Sequence, residues 1–473
     1  MGPFRSIDVR VALLVVAVFG LRLVVAGPDP DLWGRIVYGR EAARAGVLVL
    51  PVDVFSWTVR GTEWIDHEWG FSWLAWLLYE HGGWPILRLY QIAAFATVAW
   101  LAARRALPFM LPPGRLPLLV LPLVSVLAIG FGGPRAQIVT YLGFAWIIEC
   151  LRRSRDGNPR WAIAGALTMP VWVNVHGGFL AGLGVLGAWT AFEAIRAARF
   201  GTWHRAAAGG IALSFCGASS LMNPWGSAFF APLLEAARMA RPFVSEWQPT
   251  APVSLLGAGT LALVALDIAW VRRCGPRFSE IAVVAVTAAL GVSHQRHAVF
   301  HAIAVGIFVV PDLSARWAMG ARPDAPQRRA LVWMRRLFSI ALGAVAGLLA
   351  VALFAPAVER NYPARALDFA QEHAATGNVV TDFDWSQYVI FRGWPRFHVA
   401  FDGRYEEVYP PAAVSRFVSW SYGLPGWREI MDDPRVEWAL VAANSGRDLR
   451  LRSLHGWSEV YRDEQAVWFH RGR

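Results

Sequence analysis

Lysine is absent from this 473-residue chain, and cysteine occurs only three times. Arginine therefore carries all the basic charge of the side chains, a bias we attribute to coding rather than to chemistry. Cys150 and Cys274 fall at the inner ends of apolar segments and Cys216 inside one. No disulfide framework is expected, even for segments that face an oxidising compartment. No P-loop, dinucleotide glycine fingerprint, HExxH or GxSxG stands in a convincing context. No repeat of solenoid or propeller period is present. Nor is there a matched pair of broken helices of the kind that marks inverted-repeat transporters. Basic patches interleaved with aromatics are missing too, which argues against a nucleic-acid partner.

Apolar residues make up 56% of the chain, which excludes an ordinary soluble globular protein. About eleven apolar segments approach spanning length. They cover 9–26, 83–103, 116–132, 136–151, 160–174, 178–196, 206–222, 251–271, 279–293, 297–312 and 334–356. The first follows a basic start and resembles a signal peptide. Its length and the Asp29-Pro30-Asp31 that follows favour a retained helix. With the N-terminus inside, one parity assigns nearly every arginine-rich connector to one face. Arg104 and Arg105, Arg152, Arg153 and Arg155, Arg196 and Arg205, then Arg272, Arg273 and Arg277 all become cytoplasmic. The formal charge of +11 thus reads as positive-inside topology. Several tryptophans near segment ends (Trp33, Trp69, Trp172, Trp225, Trp247) read as an interfacial belt.

The other face receives the reactive groups. A long outside segment, 27–82, follows the first span, and its apolar run Phe71 to Tyr79 is too short to span upright. From about Glu359 onward, charge rises and short β-like runs alternate with helical stretches. The expected fold is mainly α: a polytopic membrane protein followed by a small soluble α/β domain. The domains are 1–356, which includes the outside loop 27–82, and 357–473, which is extracytoplasmic.

Four constellations could carry chemistry. Asp29 and Asp31 flank a proline; mutual repulsion could raise one pKa, giving a base or half of a metal site, while Asp31 equally suits a helix cap. Asp66, His67 and Glu68 lie between Trp64 and Trp69, where the acids also suit a helix start. Asn174 and His176 join two spans through Gly177-Gly178; they line a polar cavity or fix the hairpin by hydrogen bonds. On a continuous helix His294, His297 and His301 would share a face, with Arg296 pointing elsewhere, toward a phosphate; a turn near 294–296 would break that face. Minor candidates are Asn223-Pro-Trp225-Gly226, Glu246-Trp247, Asp382-Phe-Asp384 and Phe401-Asp402-Gly403-Arg404-Tyr405-Glu406. Asp402-Gly403 reads first as a turn.

This layout resembles the GT-C superfamily of polytopic membrane glycosyltransferases, which use polyprenyl-phosphate sugars. The resemblance rests on the acidic pair after the first span, the second acidic cluster in the first outside loop, the span number and the C-terminal domain outside. The stretches WVNVHGGFLAG, LMNPWG, EW and SHQRH also resemble a group of bacterial multispanning proteins of the same layout. The WVNVHGG hairpin is no general mark of the superfamily, and the C-terminal domain matches no acceptor-binding module. The resemblance implies inverting transfer of a sugar from a polyprenyl-phosphate donor at the outer face of a bacterial inner membrane. Asp29 or Asp31 would be the base, and Asp66 and Glu68 would orient the acceptor or a divalent ion. Arg296, with His294 and His297, would neutralise the leaving phosphate. His67, Asn174 and His176 complete the expected substrate contacts. Expected ligands for a divalent metal, if one is used, are Asp29, Asp31, His297 and His301. Membrane lipids and the lipid-linked donor are the expected partners. A transporter or flippase of a lipid-linked saccharide, or a non-catalytic envelope scaffold, are the alternative functions.

Overall fold

The computed structural model describes residues 27–106, 130–238, 245–318 and 361–472, with isolated helical residues at 123, 126, 127, 347, 350, 353 and 354. The expected segments 9–26, 116–132 and 334–356 lie wholly or largely outside the described residues. The chain divides into two compact units. One comprises Met1–Ala26, Trp84–Asn223 and Ala240–Pro356; the other comprises Gly27–Gly83, Pro224–Met239 and Ala357–Arg473.

The first unit is helical. Its described helices include Gln137–Asp156, Phe179–Phe200, His204–Ser219, Leu255–Cys274 and Phe278–Ser293. Among the described residues, Trp69–Ala102, Phe179–Phe200, Leu255–Cys274 and Gln295–Trp317 are long and apolar enough to cross a membrane. Their ends carry the expected signals. Ser254 caps Leu255–Cys274 by accepting from the Gly257 N–H, and Arg272 and Arg273 occupy its last turn, where the helix dipole favours cations. The 160–174 segment is not one helix but Trp161–Ala166 and Met169–Trp172, the second with Pro170 in its first turn. Gly143 and Gly182 let two helices close on the Trp172 indole, since a Cβ at either would lie 2.7 Å from the ring. Trp172 is therefore interior rather than interfacial, as is Trp33 in the other unit.

The run from Phe71 to Tyr79 is not a separate surface element. It forms the start of a helix, Trp69–Ala103, which is interrupted at Gly83 with φ 58° and ψ −146°. Nothing before the Gly82-Gly83 pair supplies a stop signal, so the helix runs up to it.

The second unit is a mixed five-stranded sheet with strands β1 (Gly377–Thr381), β2 (Phe397–Val399), β3 (Trp438–Ala442), β4 (Trp457–Arg462) and β5 (Ala466–Arg471). Their order is β2-β1-β3-β5-β4. The β2–β1 and β1–β3 pairs are parallel, and β3–β5 and β5–β4 antiparallel. The β-like runs NVVTDF, FHVAFDG, VEWALVAA, EVYRD and AVWFHR after Glu359 each overlap one of these strands.

Residues 27–83 belong to this unit, not to the helical one, and this corrects the expected domain division. The reason is burial. Leu32, Trp33, Ile36, Val37, Phe55, Trp57 and Trp64 need apolar cover and find it on the α/β core. The helix Pro30–Arg44 lies against Phe383–Gly393, and Trp33 packs edge-on to Tyr362 and Tyr388. Residues 55–57 hydrogen-bond along β2: Val399 N–H donates to Phe55 C=O at 3.1 Å, and Trp57 N–H donates to Val399 C=O at 3.0 Å.

Candidate functional site

The Pro30–Arg44 helix begins with Asp29 as its N-cap. The Asp29 carboxylate accepts from the Asp31 N–H at 3.1 Å, and Pro30 occupies the first turn, where its missing N–H costs nothing. The cap is thus Asp29 and not Asp31. Asp31 is exposed, and its carboxylate accepts from Gln387 Nε2 at 3.1 Å. It also sits directly over Gly403: a Cβ there would meet Asp31 Oδ1 at 2.1 Å and Gln387 Nε2 at 2.3 Å. The Asp-Gly dipeptide read as a turn therefore has a second function, leaving room for a carboxylate.

One turn further along the helix, Arg35 is 4% exposed and gathers three acids. It lies 2.5 Å from Asp66, 2.9 Å from Glu68 and 3.4 Å from Glu407. His67 Nδ1 lies 3.2 Å from Glu407, whose other oxygen accepts from the Trp64 indole at 3.0 Å. Burial disfavours the His67 charge, but Glu407 and then Glu68 outweigh it and raise the imidazole to about 9. Burial also opposes the Glu407 charge, yet His67 and Arg35 draw it down to about 2. Asp66 and Glu68 remain above the usual carboxylate range, because desolvation exceeds what Arg35 returns. Asp66 also accepts from the Glu68 N–H at 2.9 Å, so it opens the following helix as well as pairing with Arg35.

Beside this cluster lies a sealed one. Arg404 is fork-bonded to Asp402, with Nη2 at 2.6 Å, and reaches Asp53 at 2.5 Å. Tyr409 OH donates to Asp402 at 3.0 Å, and Ser56 OH donates to Asp53. Trp64 joins the two clusters: its N–H holds Glu407 while its ring lies 4.8 Å from the Arg404 guanidinium.

The remaining candidates fall in the helical unit. His294 is extended (φ −146°, ψ 127°), a 3₁₀ turn Gln295–His297 follows, and the helix restarts at Ala298. The single face for three histidines therefore does not form. His294 and His297 rings lie 5.3 Å apart, both edge-on to Trp247, and Arg296 stacks 4.5 Å over that indole. Glu246, the neighbour of Trp247, pairs with Arg135 at 2.7 Å. Burial opposes its charge, but Arg135 and then Arg296 hold it below the usual range. His301 instead lies 3.3 Å from Asp267 and 3.4 Å from Thr287 Oγ1. Asn174 donates to the Pro170 and Met222 carbonyls at 2.8 and 2.7 Å, tying the hairpin to the chain just past the helix His204–Ser219. His176 Nδ1 accepts from the Gly178 N–H at 2.9 Å and lies 2.8 Å from Thr140, which in turn accepts from Trp172 Nε1. Among the described residues, no three His, Cys, Asp or Glu side chains gather as a metal-binding group.

Sequence reasoning found Asp66, His67 and Glu68 but not their shared cation Arg35 or their fourth member Glu407. Arg35 carried one signal, a charge inside the otherwise buried run Leu32 to Tyr38. Glu407, 372 residues away from Arg35, carried none.

No protein-family model matches the chain, and no curated protein does. Solved structures do. The crystal structure of ArnT from Cupriavidus metallidurans in the apo state matches with a TM-score of 0.51 at 16% identity, over 98% of this chain and 96% of that one. ArnT bound to undecaprenyl phosphate matches at 0.49 with 17% identity, over 98% and 97%. A cryo-EM structure of the arabinofuranosyltransferase AftD from Mycobacteria, mutant R1389S, matches at 0.53 with 15% identity; there 98% of this chain covers only 41% of that one. At these identities the likeness shows the fold alone: the chain shares its fold with the apo ArnT and AftD structures.

Proposed function

We propose that the protein is a membrane glycosyltransferase that moves a sugar from a polyprenyl-phosphate donor to a hydroxyl or amine acceptor at the outer face of a bacterial inner membrane. The observation that carries this reading is Asp31. It is an exposed carboxylate at a helix N-terminus, held by Gln387 and given room by Gly403, in a chain of this fold. Asp31 is assigned the base. It takes the acceptor proton as the acceptor atom bonds the anomeric carbon and the carbon–oxygen bond to the lipid phosphate breaks, inverting the centre. Asp29 supports it through the cap. Asp66 and Glu68 act through Arg35 to fix the segment that follows, and His67, the more open member, is assigned to contact substrate. Arg296, His294, His297 and Trp247 are assigned as a phosphate contact in their own right. Asn174 and His176 are assigned to hold the hairpin.

The test compares Asp31→Asn with Asp29→Asn, using purified protein and polyprenyl-phospho-sugars. Asparagine caps helices as well as aspartate, so the second change removes charge without removing the cap. Asp31→Asn is expected to lower transfer by about a hundredfold or more, with an unchanged melting temperature. Transfer that survives Asp31→Asn dismisses Asp31 as base.

A second reading has one observation in its favour. Asp267 and His301 form an acid–base pair on helices of the membrane-spanning kind, beside a π-turn at Val305–Val309. Ionisable pairs in that setting serve transport. Proton-coupled uptake of a lipid-linked saccharide into vesicles, lost in Asp267→Asn, would favour a transporter.

A further inference from the structure

We propose that the arginine-rich end of the helical unit holds the headgroup of an anionic phospholipid. A cavity of about 890 Å³ opens there, with Arg104, Arg105, Arg152, Arg153, Trp161 and Asp312 among its lining residues. The two sequence-separated arginine pairs meet because the helices Trp69–Ala103 and Gln137–Asp156 end side by side. Arg104 and Arg105 both pair with Glu149, which Arg153 also reaches at 2.8 Å.

Charge and geometry favour a phosphodiester. Arg152 pairs with Asp312 at 2.6 Å and Arg105 with Asp156 at 2.8 Å, while Glu149 lies fully buried beneath the rest. Within this set four guanidiniums face three carboxylates, so one positive charge is left uncompensated. The buried Nε of Arg104 has no hydrogen-bond partner among the described residues, and that of Arg152 has only an ion pair with Asp156 at 3.6 Å. A buried N–H donor in that state calls for an acceptor. Both helices present their C-terminal ends, so attraction for an anion must come from the guanidiniums and not from helix dipoles. Their planar forks suit phosphate oxygens. The cavity lies where apolar segments stop and an indole begins: Trp161 is half-buried, with Arg153 4.2 Å over its ring. That is the depth of the headgroup layer, where basic pockets between spanning helices take anionic lipids. Free phosphate shares the chemistry but not the depth. The proposal does not depend on the transfer reaction.

The experiment uses the full chain in detergent. Bound lipid is followed by native mass spectrometry after titration with phosphatidylglycerol or phosphatidylcholine. Phosphatidylglycerol is expected to bind about tenfold more tightly, a preference that Arg153→Gln and Arg104→Gln reduce to about threefold or less. Arg153→Gln leaves Glu149 its other two arginines, so this variant is expected to fold even if Arg104→Gln does not. Arg272→Gln, an exposed arginine that does not line the cavity, is expected to leave the preference intact. Equal binding of the two lipids overturns the proposal, as does an equal loss in Arg272→Gln, which would mean diffuse surface charge. Full displacement of the lipid by millimolar glycerol phosphate would reassign the site to a soluble anion and overturn it as well.

Discussion

Two arginines beside the same tyrosine ring, Tyr38, at 5.8 Å for Arg35 and 5.3 Å for Arg404, solve the same problem in different ways. Arg404, Asp53 and Asp402 are each fully buried, and every partner is supplied by a short loop around residue 402 or by residues 53–56. Arg35 is also buried, but of its companions His67 keeps 23% of its side-chain surface and Glu68 15%. The sealed cluster ties residues 53–56 to the chain around residue 402. The half-open one holds three carboxylates against one guanidinium and one imidazole, and burial leaves two of those acids hard to ionise. Groups whose protonation is contested, at the edge of solvent, are what acid–base and binding chemistry needs. On the proposed reading the sealed network is scaffold, and the open one borders the working surface.

Breaking the sealed side should have the larger effect. Arg404→Met strands two buried carboxylates and is expected to cost about 3–5 kcal/mol, read as a large fall in melting temperature. Arg35→Gln is expected to cost less, about 1–3 kcal/mol, because Asp66 and Glu68 take up protons more readily. Transfer activity should fall further than stability does. Equal losses in the two variants, by thermal melts, would erase the distinction between the clusters.

The smallest effect is in the pH profile. His67 is raised from 6.5 to about 9, so its charge adds stability that is complete below about pH 6.5 and lost as pH rises through 9. Glu407 is lowered from 4.5 to about 2, so its share is present above about pH 4.5 and lost as pH falls through 2. Asp66 and Glu68 have the opposite sign, favouring the fold while protonated and eroding it as pH rises above the usual carboxylate range. His67 and Glu407 together give full stability between about pH 4.5 and 6.5, and Asp66 and Glu68 favour the acid end of that window. Glu407→Gln is expected to move the His67 midpoint from about 9 back toward 6.5, measured by imidazole NMR titration. An unmoved midpoint would show that Glu407 does not govern it.

How much of this was legible depended on range. Apolar runs such as Leu255 to Val271 and β-like runs such as Ala466 to Arg471 announce themselves locally, and both became the expected elements. The trio Asp66, His67 and Glu68 was visible because its members adjoin. Arg35 with Glu407, and Arg404 with Asp53, were not, because each pair closes only when the 27–83 segment folds onto the C-terminal sheet. Length alone made that segment look like a loop of the membrane domain. The broken histidine face at His294 turned on one extended residue, which period counting cannot see.

Strand β2 is only three residues long and forms one border of the sheet. Its outer hydrogen-bonding groups are taken by Phe55 and Trp57 rather than by another strand. Cutting the gene at the apparent domain boundary would uncover that border, together with the aromatic surface under Trp33, and invite self-association in solution. A tractable truncation for biochemistry would have to carry residues 27–83 along, spliced by a flexible tether to the sequence that begins near 357.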